Sequence, residues 1–201
     1  MGSAEENKKW DPSVEKPMEE AISKVSADMK EKVKTLAEDM YKKGKSPKEA
    51  MGFTDEMAEG IYSFGYRLYS NGKYSEAAPI FRLLILLDPT QLKYLLGMAA
   101  CFHMLKEYQS AATTYSLCCI VDTNDPMAAY HASDCYLHLN EIPTAMRSLQ
   151  VAIQRMGSKK EYAALKERAR LNLESLSNGG KLEETPHPTI PQQTESSKKT
   201  A

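Results

Sequence analysis

A pattern of apolar and small residues appears three times in the middle of the chain, at a spacing of 34 residues. It constrains the fold more than any other feature, because each copy can bury its apolar face only against its neighbours. The first copy contains Ile61, Phe64, Gly65, Leu68, Ala77, Phe81, Leu84 and Pro89, the second Leu95, Met98, Ala99, Phe102, Ala111, Tyr115, Cys118 and Thr123, and the third Ala129, Ala132, Ser133, Tyr136, Ala145, Leu149, Ala152 and Gly157.

This spacing is typical of the tetratricopeptide repeat, a helix-turn-helix unit. The sequence therefore predicts an all-α fold of three tetratricopeptide repeats in a right-handed superhelix, with an N-terminal helix and a C-terminal capping helix. Three repeats are about the minimum at which stacking buries a continuous core. We expect a repeat domain over residues 54–177, with repeats at about 58–91, 92–125 and 126–159 and the capping helix at about 159–177.

The segments on either side of the repeats differ in composition. Residues 1–17 predict a flexible leader and residues 178–201 a disordered tail, since both are polar and contain prolines. Residues 18–53 predict an N-terminal helical segment with one apolar stripe, which must be buried on its own domain or on a second subunit. The sequence does not choose between these two. The stripe contains Ile22, Val25, Met29, Val33, Leu36 and Met40.

The composition argues against several classes of protein. The formal net charge is -1, so the chain has no overall attraction to nucleic acid or to an anionic membrane. No apolar run approaches the ~18 residues of a membrane span, and the N-terminus lacks the basic and then apolar pattern of a signal peptide. We expect neither a nucleic-acid partner nor stable membrane insertion, and a protein that stays where it is made.

Neither a metal site nor a catalytic site is predicted. The four cysteines fall in predicted helices without a C-x-x-C pair, which indicates small buried side chains rather than zinc ligands. The sequence has no phosphate-binding glycine loop and no nucleophile elbow. We therefore expect no metal, no cofactor and no catalytic residues. The cysteines are Cys101, Cys118, Cys119 and Cys135.

The first helix of repeat one carries a second stripe, offset by one residue from the packing stripe. A helix that is apolar on two stripes needs two partners. In a right-handed repeat superhelix the second stripe lines the concave face, and steps of 34 residues continue it into the other repeats. The predicted groove contains Tyr62, Tyr66, Tyr69, Lys93, Leu96, Ala100, His103, Met127, Tyr130, Asp134 and Leu137.

Such a groove suits an extended peptide. Its apolar side chains would pack on the tyrosine rings, while Lys93 or His103 bonds its backbone. The alternative is that the tyrosines pack against the N-terminal helix, and the sequence alone leaves both interpretations open.

Several runs in the repeats resemble the class II type III secretion chaperones, the LcrH/SycD/IpgC family. The resemblance covers about residues 20–175 and is more specific than a generic repeat consensus. The runs are GFT at 52–54, IYSFGYRLYSNGKY at 61–74, LGMAAC at 96–101, ATTYS at 112–116 and YHASDCYL at 130–137.

The resemblance implies a chaperone in the bacterial cytoplasm that binds the hydrophobic translocator proteins of a type III secretion system. It would keep them soluble, stable and competent for secretion, and clasp an extended N-terminal segment with spaced prolines and a leucine in the groove. The resemblance also implies a homodimer formed around residues 22–40. The groove residues that it implies are Tyr62, Tyr66, Tyr69, Tyr74, Lys93, Leu96 and His103.

Other peptide-binding functions are the alternatives. A generic tetratricopeptide-repeat adaptor for another peptide partner stays open. An adaptor for the acidic C-terminus of a heat-shock chaperone is disfavoured, because its clamp positions carry no fixed positive charge here. Those positions hold Tyr62, Tyr66, Gly97, Met127 and His131.

Overall fold

A computed structural model of the chain describes residues 27–179 and 188–191. The predicted all-α fold is confirmed, since the described residues form helices and turns and contain no strand. The chain divides into two compact units, residues 1–55 and 56–201.

The first unit contains two described helices, α1 (Ala27–Lys43) and α2 (Pro47–Ala50). Gly44 follows α1 with a φ of 66°, the left-handed conformation that glycine adopts without strain. Ser46 and Glu49 form a capping box at the start of α2.

The predicted dimerisation stripe is only partly described. In α1, Val33 and Leu36 are half-buried and Met40 is 38% exposed. Ile22 and Val25 lie outside the described residues, as does the side chain of Met29. The role of this stripe stays a prediction.

The second unit is a succession of antiparallel helix pairs followed by a final helix. Its helices are α3 (Asp55–Ser70), α4 (Tyr74–Leu87), α5 (Leu92–Met104), α6 (Tyr108–Val121), α7 (Met127–His138), α8 (Ile142–Met156), a 3-10 turn (Lys160–Tyr162) and α9 (Ala163–Ser177). From α4 onward each α-helix packs on the next one in the chain. The capping helix expected from residue 159 thus begins with a 3-10 turn.

The turns between paired helices repeat the 34-residue period. Gly72, Lys106 and Asn140 occupy equivalent positions and have φ values of 75°, 62° and 60°. A left-handed residue at the same place in each pair reverses the chain in the same way. The period therefore sets backbone conformation as well as side-chain burial.

The packing of repeat one differs from the predicted stripe at one position. Phe64 is 45% exposed, whereas Tyr62 is fully buried against Phe81. Glycine permits the close approach of the next helix, because a Cβ on Gly97 would lie 2.6 Å from the Phe81 ring. The face of α3 that carries Tyr62 therefore contributes to the core and also borders the predicted groove.

Candidate peptide-binding groove

Tyr62 is the most enclosed residue of the predicted groove. Its ring centroid lies 5.9 Å from that of Phe81 and 5.8 Å from that of Tyr94, and its side chain is fully buried. The hydroxyl donates a hydrogen bond of 2.5 Å to the backbone carbonyl of Pro191. Burial raises the pKa of this phenol, so the hydroxyl remains a donor at neutral pH.

Tyr69 lies two turns further along α3 and makes a parallel interaction. Its hydroxyl donates to the backbone carbonyl of Pro188, and its ring meets the edge of Tyr74 at a centroid distance of 5.2 Å. Burial raises the pKa of Tyr69 as well. Two tyrosine hydroxyls on one helix thus hold one short segment of backbone.

That segment, residues 188–191, belongs to the expected disordered tail. Pro188 is buried, Thr189 is exposed, and Ile190 is only 6% exposed, in the core cluster of repeat one. The disorder of the tail stays a prediction for residues 180–187 and 192–201, which lie outside the described residues. Local composition missed the packing of 188–191, because the buried isoleucine stands alone among polar and proline residues.

Lys93 was expected to bond the backbone of a bound peptide, but in the structure it contacts Glu59 and the ring of Tyr62. Its ammonium lies 2.5 Å from the Glu59 carboxylate and 4.7 Å from the centroid of the Tyr62 ring. Glu59 and Lys93 stand one repeat apart, so this ion pair joins equivalent helices of repeats one and two. Lys93 thus covers the Tyr62 ring.

His103 and Asp134 pair with each other. Their Nε2 and Oδ2 atoms are 2.8 Å apart and both side chains are nearly buried, while Nε2 of His138 lies 3.7 Å from the same carboxylate oxygen. The His138 ring stacks on Tyr108 at 4.0 Å. The expectation that Lys93 or His103 bonds a peptide backbone therefore stays a prediction.

Next to this pair lie buried polar groups that no described residue satisfies. Within residues 27–179 and 188–191, both ring nitrogens of His131 and the hydroxyls of Tyr115 and Tyr130 lack hydrogen-bond partners. Burial first, and then the neighbouring His103, lower the pKa of His131 from 6.5 to about 4. Burial also raises the pKa of Tyr115 and that of Tyr130.

A cavity of about 400 Å³ lies between the repeats and residues 189–191. The groove prediction included Leu96 and Met127 of its lining but missed Tyr115 and His131. The repeat pattern placed Tyr115 among the residues that pack helices together. His131 could have been found from its position next to Tyr130, which is in the predicted groove. The cavity is lined by Leu92, Leu96, Tyr115, Asp122, Asn124, Asp125, Pro126, Met127, His131, Lys159, Tyr162, Thr189, Ile190 and Pro191.

The other predicted groove residues lie close to these features. Tyr66 and Tyr74 are half-buried against the core cluster of repeat one, Ala100 is 1% exposed within that cluster, and Leu137 is half-buried in α7. The structure thus brings the repeat-one tyrosines together around residues 188–191. It places His103, Tyr130 and Asp134 deeper, among buried side chains.

Neither a metal site nor a membrane span is found in the part of the chain that the structure describes. Residues 27–179 and 188–191 contain no cluster of histidine, cysteine and carboxylate side chains arranged for a metal ion. No helix there combines the length and apolar character needed to cross a bilayer.

Comparison with known proteins gives a consistent result. A tetratricopeptide-repeat family model matches residues 58–90 and 92–125. The chain is 30% identical over 123 residues to the low calcium response locus protein H of Yersinia pestis. The aligned region covers 61% of this chain and 73% of that protein.

Solved structures show the same similarity. SycD of Yersinia enterocolitica, a type III secretion chaperone solved with a peptide of the translocator YopD, has a TM-score of 0.61 at 28% identity, covering 63% of this chain and 96% of SycD. SycD has also been solved as an alternative dimer. PcrH of Pseudomonas aeruginosa, solved with the chaperone-binding region of PopD, has a TM-score of 0.61 at 30% identity, covering 64% of this chain and 96% of PcrH.

Both the repeat architecture and the extent of these alignments lead to one conclusion. The chain belongs to the tetratricopeptide-repeat class II chaperones of type III secretion, the family of low calcium response locus protein H, SycD and PcrH.

Proposed function

We propose that this chain binds a hydrophobic translocator protein in the bacterial cytoplasm and keeps it soluble, stable and competent for secretion. An extended segment of this client would lie on the tyrosine face of the repeats. One observation carries the proposal: that face holds a segment with two prolines by its backbone carbonyls, through the hydroxyls of Tyr62 and Tyr69. The translocator peptides bound to SycD and PcrH support it.

The chemistry of the groove fits binding without catalysis. Tyrosine rings and the side chains of Leu96 and Met127 offer apolar surface, while the phenol hydroxyls pair with backbone carbonyls. Such contacts read an extended backbone and are tolerant of side-chain sequence. We infer that the role is that of a non-enzymatic chaperone, like its relatives.

We further propose that the client contacts both ends of the groove. Tyr62, Tyr66, Tyr69 and Tyr74 would hold its backbone and apolar side chains at repeat one. Leu96 and Met127 would receive a further apolar side chain at the cavity. Lys93, Ala100, His103, Tyr130 and Asp134 would then support this surface rather than touch the client.

The test is capture of the tagged chain from the bacterium that encodes it, with partners identified by mass spectrometry. Met127→Asp places a charge in the cavity wall, whereas Leu171→Asp makes the same kind of change on α9, where Leu171 is 53% exposed. We expect secreted proteins with membrane-spanning apolar segments to accompany the wild type and Leu171→Asp, and at least tenfold less of them with Met127→Asp. A wild-type sample without any such protein would refute the proposal.

We also propose a homodimer formed through α1 and the residues before it. The relevant side chains are Ile22, Val25, Met29, Val33, Leu36 and Met40. Leu36→Glu should shift the full chain from dimer to monomer in sedimentation, whereas Thr35→Glu, on the exposed side of α1, should not. A Leu36→Glu protein that remains dimeric would assign the interface to another surface.

A further inference from the structure

We propose that residues 188–191 are an internal ligand of the groove, which a client must displace in order to bind. This inference rests on the proposed function, because it assumes that clients use the tyrosine face. It adds that the chain competes with its own client and that occupancy of the groove is set by this competition.

The length of an extended four-residue segment matches the spacing of Tyr62 and Tyr69 along α3. Tyr62 and Tyr69 are seven residues apart on one face of α3, which separates them by ~10 Å along the axis. The carbonyls of Pro188 and Pro191 are three residues apart, or ~9 Å in a polyproline II conformation. One segment in extended conformation therefore reaches both donors at once.

The two prolines make the segment a favourable ligand. Neither Pro188 nor Pro191 has a backbone N–H, so burying them leaves no donor unsatisfied. Their restricted φ also holds the backbone near the extended conformation before binding, which reduces the entropy lost on docking.

The side chains alternate between the core and solvent. Ile190 is 6% exposed and belongs to the core cluster that contains Tyr62 and Phe81, whereas Thr189 is exposed. The segment therefore has an aliphatic anchor between two accepted carbonyls. These are the features of a specific ligand rather than of a chain end resting on a surface.

The segment leaves space in the groove beside it. Residues 189–191 form part of the wall of the cavity of about 400 Å³, whose lining also includes Leu96, Met127 and Tyr162. A longer client can fill this space with an apolar side chain against Leu96 and Met127, and so add contacts beyond those of residues 188–191.

Competition within one chain is strong because of effective concentration. A ligand joined to its site by a short connection acts at a concentration on the order of millimolar. An internal ligand with an intrinsic dissociation constant near 0.1 mM would therefore weaken an external ligand by about tenfold.

The experiment uses the full chain and two neighbouring substitutions. Ile190→Asp removes the aliphatic anchor, and Thr189→Asp introduces the same charge on an exposed side chain. The probe is a fluorescent peptide with the sequence of residues 186–193, PHPTIPQQ. We expect the peptide to bind Ile190→Asp about tenfold more tightly than it binds either the wild type or Thr189→Asp, at all protein concentrations.

Three outcomes would overturn the inference. Equal affinity of the peptide for the wild type and Ile190→Asp would show that residues 188–191 do not occupy the groove. The absence of binding to Ile190→Asp would show that they are not a ligand. If the weakening of peptide binding to the wild type grew with protein concentration, the segment would instead occupy the groove of a second copy.

Capture of translocators separates this inference from the proposed function. If Ile190→Asp binds the peptide tightly while no translocator accompanies it or the wild type from the cell, the internal ligand stands and the proposed client fails. If translocators accompany the wild type and Ile190→Asp equally and the peptide binds both alike, the function stands and the internal ligand fails.

Discussion

The buried polar groups at the two ends of the groove differ in their hydrogen bonding. At repeat one, the hydroxyls of Tyr62 and Tyr69 donate to carbonyls of residues 188–191. At repeats two and three, the hydroxyls of Tyr115 and Tyr130 and the ring of His131 have no hydrogen-bond partner among the residues that the structure describes. Burying an unpaired polar group costs free energy, so we expect the second end to be the less stable of the two.

The largest expected effect is a loss of stability when His131, at the second end, is protonated. Its ring faces His103, Tyr115, Tyr130 and Asp134. Its pKa is about 4 in the folded chain against 6.5 ordinarily, so the unfolded chain binds more protons between these values. Stability is thus fully present above about pH 6.5 and falls by about 3 kcal/mol as the pH drops to about 4.

Urea unfolding at about pH 7.5 and pH 4.5 measures this loss. His131→Phe keeps an aromatic side chain without the titratable ring. In this variant we expect most of the difference in unfolding free energy between the two pH values to disappear. Carboxylates elsewhere contribute equally to both proteins. An identical pH dependence in the variant and the wild type would contradict the assignment.

A smaller effect is expected at the junction between the two ends. Gly97→Ala places a Cβ 2.6 Å from the buried Phe81 ring, against which Tyr62 also packs. We expect a loss of about 2 kcal/mol in unfolding free energy, in the range of other overpacked cores. Gly60 is the matched control, because a Cβ there has no neighbour within 4 Å. Gly60→Ala should stabilise α3 by roughly 0.5 kcal/mol, and an equal loss in both variants would rule out the steric explanation.

The tyrosines give the sharpest test of the comparison. In the Ile190→Asp background, Tyr62→Phe removes one donor and should weaken peptide binding by about 1 kcal/mol, or about fivefold. In the wild-type background the loss should be smaller, since the internal ligand loses the same hydrogen bond.

Tyr130→Phe is the control for this cycle. It removes a buried hydroxyl that has no hydrogen-bond partner in the described part of the chain, so it should leave stability unchanged or raise it slightly. Peptide titration and urea unfolding measure both quantities. A larger loss for Tyr130→Phe than for Tyr62→Phe would reverse the comparison between the two ends.

The smallest effect is expected at Lys93. Its ion pair with Glu59 is partly exposed, with side-chain exposures of 29% and 38%, so solvent screens much of the attraction. Lys93→Met should change unfolding free energy and peptide affinity by about 0.5 kcal/mol or less. A tenfold loss of peptide affinity would instead support a direct bond from Lys93 to the client backbone.

The sequence was informative about the repeats because their signals are local. The spacing of apolar and small residues indicated the helices of all three repeats. The interpretation of Phe64 as a packing residue was wrong, because α3 turns Tyr62 toward Phe81 instead. Neighbouring residues on a helix point about 100° apart. The spacing of apolar residues alone does not show which of two adjacent stripes faces the core.

The groove shows where sequence reasoning stops. The tyrosine stripe was identified by its period, but the pairing of His103 with Asp134 joins residues 31 positions apart in different repeats. Which polar groups pair depends on how closely helices from different repeats approach one another. No local pattern reports it.

By itself, the sequence determined the helical repeats, their register and the tyrosine face, because each follows from residues within one or two repeats. Only the tertiary structure decided that this face holds residues 188–191, through a hydrogen bond that spans 129 positions from Tyr62 to Pro191. The physical reason is that a short proline-bounded segment has no periodicity of its own. The segment can bind only when the folded repeats present two hydrogen-bond donors at the matching distance.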